Sequence, residues 1–121
     1  MTGLIEVIDG GLGNAIQDAG RFGYRHQGLA VSGFLDRPLA DCANALAGNP
    51  ANTAGLEIGV MGPDLLVEAD SVRVALVGPL SPSLIESEGA PPKPLETDRS
   101  HLLKRGQVLR VGMIEGASTA Y

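Results

Sequence analysis

Tryptophan is missing from this chain of 121 residues, and phenylalanine and tyrosine supply only two residues each. Any core is therefore aliphatic, drawn from Leu, Val, Ile and Ala within an apolar fraction of 44%. Cysteine is nearly absent as well. Cys42 stands alone, so no internal disulfide forms, and a reducing cytoplasm is the expected setting. Cations are few: nine Lys and Arg against 14 Asp and Glu give a net charge of −5. They are scattered singly, which argues against a nucleic-acid surface, since that needs a concentrated basic patch. No apolar run approaches the ~20 residues that cross a bilayer. Glu6 and Asp9 stand where a secretory leader carries positive charge. Nucleic acid and membrane are thus not expected partners.

What is abundant is turn chemistry, with 17 Gly and 8 Pro. That suits many short strands in one domain spanning 1–121. The β-branched run over residues 4–8, stopped by Asp9-Gly10-Gly11, predicts a first strand and turn. Residues 12–17 predict a short second one. The one clear helix is 36–47. Asp36 caps it, Pro38 sits in its first turn, and Leu39, Cys42, Ala43 and Leu46 form an apolar face. Gly48-Asn49-Pro50 ends it. Strands are predicted over 56–60, 65–68 and 72–77, the first two as a tight hairpin across Gly62-Pro63-Asp64. A Pro-rich passage over 86–97 precedes strands at 102–104 and 107–111 about an Arg105-Gly106 turn. The expected core is Leu4, Val7, Ile16, Leu39, Ala43, Leu46, Leu56, Ile58, Leu65, Val67, Val72, Val74, Leu76, Leu109 and Val111. Residues 117–121 look like the start of a strand. An unpaired edge there predicts a chain cut from something longer, and self-association through that edge.

Chemistry concentrates in 17–26, where Gln17, Asp18, Arg21, Arg25 and His26 are spaced by glycines that let a ligand approach the backbone. Two planar guanidiniums suit a carboxylate, carbamate or phosphate. The competing reading is a solvated loop in which Asp18 pairs with Arg21. Asp36 is most simply the helix cap. Ser32 lacks a nucleophile elbow, because Ala30 replaces the first glycine of that motif. Asn44 reads as a hydrogen-bonding helix residue. Gly11-Leu12-Gly13 opens like a dinucleotide fingerprint, but Ile16 stands where its last glycine belongs. There is no phosphate-binding loop and no biotin-accepting Met-Lys-Met. His26 and His101 lie far apart without Cys or Glu neighbours, so no metal site is expected.

Taken in order, 3–9, 16–28 (from Ile16-Gln17-Asp18 to Gln27-Gly28) and 31–36 (Val31-Ser32-Gly33-Phe34-Leu35-Asp36) form a specific series. They resemble the opening of the large-subunit family that unites biotin-dependent carboxyltransferases, allophanate hydrolase subunit 2 and the C-subunit of 5-oxoprolinase, with its TVQD-GR-GYR-GV-SGA-D pattern. The likeness continues through 43–49 and 54–58 and, more loosely, through Gly62-Pro63, 104–109 and 116–121. The sequence departs from the pattern at Gly78-Pro79-Leu80. The resemblance implies a cyclophilin-like β-barrel and the first part of a longer subunit. It also implies a smaller carboxyltransferase-type partner subunit and a small amide substrate. The implied activities are ATP-dependent opening of 5-oxoproline, or carboxyl transfer from biotin to urea and steps around allophanate. Some relatives instead sequester a kinase-inhibitor-type regulator. In the enzyme reading Asp18 and Asp36 are the expected catalytic residues. Gln17, Arg21, Arg25, Ser32 and Asn44 are the expected substrate-binding ones, with no cofactor held by this chain alone.

Overall fold

The computed structural model describes residues 4–121. Nine strands and one α-helix follow one another: β1 (Ile5–Asp9), β2 (Leu12–Gln17), α1 (Arg37–Ala47), β3 (Gly55–Met61), β4 (Asp64–Val67), β5 (Ser71–Leu76), β6 (Ser83–Ile85), β7 (Lys93–Pro94), β8 (Arg99–Lys104) and β9 (Val108–Arg110). The expected mainly-β fold with one helix is what the chain adopts. The expected barrel is not. Among the described residues the strands form three sheets: a five-stranded sheet ordered β1-β4-β9-β6-β7, a β2-β3 pair and a β5-β8 pair.

The predicted 56–60/65–68 hairpin is also overturned. The two segments enter different sheets. β3 pairs with β2, and β4 lies between β1 and β9. At Gly62 an added Cβ would lie 2.3 Å from the Val111 side chain, and the Gly62 N–H donates to Gly112 O at 2.7 Å. The chain thus passes so close to the segment after β9 that only glycine fits.

The aliphatic core gathers Ile58, Val67, Leu76, Leu80, Leu84, Leu103, Leu109, Val111 and Ala120. Leu4, Val7 and Ile16, expected inside, are instead 60%, 59% and 73% exposed. They lie on or beside β1 and β2, outer strands with nothing packed over them in the described residues. The helix is also turned one residue from the predicted face. Ala40 and Asn44 are buried, with Ala43 and Ala47 half-buried, while Cys42 is exposed. Ala40, Ala43, Asn44 and Ala47 keep the i, i+3, i+4, i+7 spacing but are small, which lets α1 lie against β5 and β8. The larger Leu39 and Leu46 flank that contact.

The end of the chain corrects a further expectation. Ala120 exchanges backbone hydrogen bonds with Ile58 on one side (2.8 and 3.1 Å), and Tyr121 with Val77 on the other (2.7 and 3.0 Å). Residues 119–121 are buried, and the predicted open edge is not there.

Candidate functional site

Two local structures carry the polar residues singled out in the sequence. The first is the loop between β2 and α1. At its base Asp18 Oδ1 accepts from the Gly20 N–H (2.9 Å), the Asx turn that aspartate forms readily. Phe34 N–H donates to Asp18 O at 2.9 Å, and Arg21 N–H to Val31 O at 2.6 Å. The two limbs touch so closely that a Cβ at Gly33 (φ +92°) would meet Gly20 N at 2.7 Å. Ser32 beside it is held at φ +58°. The Arg21 guanidinium donates to Ala30 O (3.1 Å), bracing the loop from within. The tip is one 3-10 turn, Arg25–Gln27, closed by Gly28 in the left-handed region. Every residue from 21 to 30 is exposed. Among the described residues the Arg25 guanidinium makes no hydrogen bond or ion pair.

The second structure is the start of α1. Asp36 Oδ1 accepts from the Leu39 N–H (3.1 Å), so Asp36 is the cap. Its own N–H donates to the Tyr121 hydroxyl at 3.0 Å. That hydroxyl donates in turn to Glu57 Oε2 at 2.5 Å, and the same oxygen accepts from the Leu35 N–H at 2.8 Å. The Phe34 ring meets Tyr121 edge-on, centroids 5.4 Å apart and planes at 87°. Burial of the phenol, then its hydrogen bond to Glu57, raises the Tyr121 pKa above the ordinary 10.0. The hydroxyl stays protonated and keeps donating.

Beside this network lies a cleft of about 640 Å³, lined by Leu35, Asp36, Arg37, Pro38 and Leu39 and by Gly78, Pro79, Ala117, Ser118 and Thr119. The Asp18 carbonyl accepts from the Phe34 N–H, the Phe34 ring packs on Tyr121, and the Tyr121 hydroxyl accepts from the Asp36 N–H. The two aspartates are thus linked through backbone atoms and a ring contact. Asp36 lines the cleft, whereas Gln17, Asp18 and Ser32 do not. Gln17 ends β2, half-buried and paired with Gly55. Asn44 is brought elsewhere. Its amide donates to Thr53 O (2.9 Å) and its carbonyl oxygen accepts from Asn49 (3.1 Å), so both polar ends pin the connection after the helix. Arg25 lies at the loop tip and does not line the cleft. Among the described residues no three His, Cys, Asp or Glu side chains gather as metal ligands, and no helix is long and apolar enough to cross a membrane.

Glu57 and Tyr121 were not among the predicted site residues. The available signal was Glu57 itself, an acid among apolar residues of a strand, where a buried partner is the usual explanation.

The family described as carboxyltransferase domain, subdomain A and B, matches residues 27–121, and the chain belongs to it. The C-subunit of 5-oxoprolinase from Escherichia coli is 42% identical over 55 residues, covering 46% of this chain and 18% of that protein. The urea amidolyase of Saccharomyces cerevisiae is 30% identical over 119 residues, covering 97% of this chain and 6% of that one. The crystal structure of Kluyveromyces lactis urea carboxylase superposes with a TM-score of 0.84 at 31% identity, over 97% of this chain and 10% of that one. The chain thus spans less than a fifth of these relatives' lengths.

Proposed function

We propose that this chain belongs to a multi-subunit, ATP-dependent amidohydrolase of the 5-oxoprolinase type, working with a smaller carboxyltransferase-type subunit. The observation that carries the reading is the cleft at the start of α1, lined by Asp36, set beside the Tyr121–Glu57 hydrogen bonds and wide enough for a small cyclic amide. The 42% identity to the C-subunit of a 5-oxoprolinase supports the substrate class. In ring opening, the oxygen of water bonds to the amide carbon, the C–N bond breaks, and the freed nitrogen takes up a proton. Coupled hydrolysis of ATP by the assembly drives the step. A phosphate-binding loop of the Gly-x-x-x-x-Gly-Lys-Ser/Thr type is not the device by which this chain would hold a nucleotide.

Asp18 and Asp36 each commit one carboxylate oxygen to a backbone amide. That fixes the other oxygen as the acceptor toward substrate or water. Gln17 and Ser32 supply neutral hydrogen bonds to the amide. Arg25 takes the substrate carboxylate when the loop tip meets the partner subunit, and Arg21 holds the loop in shape for it. Asn44 serves the same site at a distance, by fixing the helix that carries Asp36.

A second reading is favoured by the extent of the urea carboxylase likeness, which covers 97% of this chain. Here biotin carried elsewhere in the assembly would supply the carboxyl group for a urea nitrogen, the proton lost by that nitrogen passing to the biotin nitrogen, and this chain's cleft would hold the urea. The test is turnover by the full-length protein with its partner subunits. ATP-dependent release of glutamate from 5-oxoproline supports the first reading. Carboxylation of urea by a biotin-loaded system supports the second. Tight binding of the partner with no turnover of either substrate leaves only a regulator-binding protein.

A further inference from the structure

Glu57 and Tyr121 meet at the entry to α1, and each stands on backbone fixed by its own hydrogen bonds. Glu57 lies on β3 opposite Ala15 of β2, and the next residue, Ile58, exchanges hydrogen bonds with Ala120 at 2.8 and 3.1 Å. Tyr121 exchanges two more with Val77, at 2.7 and 3.0 Å, and is buried. Leu35 and Asp36, by contrast, belong to the connection between β2 and α1, and Leu35 is 69% exposed.

The fixed backbone reaches that connection through a single oxygen. Glu57 Oε2 accepts from the Leu35 N–H at 2.8 Å and from the Tyr121 hydroxyl at 2.5 Å. A phenol has one proton to give, so its oxygen meets the Asp36 N–H, at 3.0 Å, as an acceptor. The consecutive amides of Leu35 and Asp36 are thus tied to one carboxyl group, the first directly and the second through the phenol. Asp36 in turn gives Oδ1 to the Leu39 N–H, and its Oδ2 has no hydrogen bond among the described residues. Asp36 lines the cleft, and Glu57 does not.

We propose that Glu57 is a positioning residue for Asp36, fixing the backbone of Leu35 and Asp36 so that Asp36 Oδ2 stays turned toward the cleft. The proposal rests on the reading of that cleft as the amide site. A reacting group displaced by about 1 Å loses on the order of 100-fold in rate, so the contribution of Glu57 falls on kcat and not on substrate binding. Reach is the property that matters. Glutamine has the same length, and its amide oxygen accepts the same two hydrogen bonds. Aspartate keeps the carboxyl group but is one methylene short.

The test is steady-state turnover of 5-oxoproline by the full-length assembly with ATP, beside amide exchange of the same variants. Glu57→Ala and Glu57→Asp should each lose about 10–100-fold in kcat with KM nearly unchanged, and Glu57→Gln should keep most of it. Asp36→Asn retains a capping oxygen and should lose about 100-fold or more. In the Asp36→Asn background Glu57→Ala should cost little further, because residues that act as a unit are not additive. A merely structural role would leave the two losses additive. Full kcat in Glu57→Ala or Glu57→Asp overturns the proposal, as does additivity with Asp36→Asn. Full turnover in Asp36→Asn, or none by the unsubstituted assembly, removes the amide-site reading, which is a separate failure. Exchange of the Leu39 amide then decides the positioning alone, since Asp36 Oδ1 is its partner. Faster Leu39 exchange in Glu57→Ala supports the proposal, and unchanged exchange overturns it. Should Glu57→Ala fail to fold, Tyr121→Phe, which cuts the link from Glu57 to the Asp36 N–H, is read in the same way.

Discussion

Gly33 and Gly23 both have positive φ, +92° and +83°, yet an alanine at each meets different surroundings. At position 23 nothing lies within 4 Å of an added Cβ, so the cost is the left-handed backbone alone, about 1–2 kcal/mol. At position 33 the new methyl would also drive into the backbone of Ala19 and Gly20, at 2.8 and 2.7 Å. Gly33→Ala should therefore lower stability clearly more than Gly23→Ala in parallel urea titrations, and should loosen the limbs that hold Asp18. Tyr121 offers a second test at this scale. Tyr121→Phe keeps the edge-on contact with Phe34 but leaves the Asp36 N–H and a Glu57 lone pair without their partner. A loss of about 1–3 kcal/mol follows. The phenol also sets a pH limit. Its folded pKa lies above the unfolded 10.0, so the stability it adds is complete below pH 10 and is lost as pH rises through the folded value. Ultraviolet titration should show Tyr121 ionising above the ordinary phenol range, with alkaline unfolding following it.

At the scale of elements, Asn44 shows how a helix residue governs the segment after it. Asn44→Ala should cost about 1–3 kcal/mol and free the 49–53 connection, because Thr53 O and the Asn49 amide both lose a partner. Exchange of the amides there is the measurement. The edge where β1 meets β4 carries the opposite kind of feature. The hydrogen bond from Glu6, then partial desolvation, then the Glu6 charge raise the Glu68 pKa, and only Arg105, itself bridged to Asp70, works against them. A carboxyl whose folded pKa lies above its unfolded one makes the charged form costly. That cost is present at neutral pH and disappears as pH falls below the unfolded value of 4.5. Glu68→Gln should therefore raise the melting temperature at pH 7 and change it little at pH 4.

These elements also show what the sequence could reveal. The cap at Asp36, the helix and most strand segments were legible because caps and β-branched runs are local signals. β6 (Ser83–Ile85) and β7 (Lys93–Pro94), the latter inside the Pro-rich passage, were not. Nor were ladder partners. The same residues 56–60 and 65–68 suit a hairpin or two separate sheets, and only long-range packing decides between them. The helix face was misread by one residue because Leu outweighs Ala in any hydrophobic pattern, whereas close approach to a sheet selects the smaller side chains. Leu4, Val7 and Ile16 read as core because hydrophobicity reports a need for cover and not whether the same chain supplies it. The site followed the same rule. Asp18 and Asp36 stood out as local motifs, but Glu57 and Tyr121, which join strand, helix and chain end, are 64 residues apart.

For the whole molecule, the chain belongs to the carboxyltransferase family and presents one braced polar loop and one cleft at a helix start. The proposed amidohydrolase function asks the loop tip to recognise a substrate carboxylate through Arg25. The most direct measurement is steady-state turnover of 5-oxoproline by the full-length assembly with ATP, comparing Arg25→Ala, Arg25→Lys and the unsubstituted protein. A charge-assisted hydrogen bond is worth about 1.5–3 kcal/mol, or about 10–100-fold in kcat/KM. The alanine variant should lose that much, mostly in KM, and lysine should restore part of it, since it keeps the charge but not the planar fork. Unchanged kcat/KM in Arg25→Ala would contradict the account.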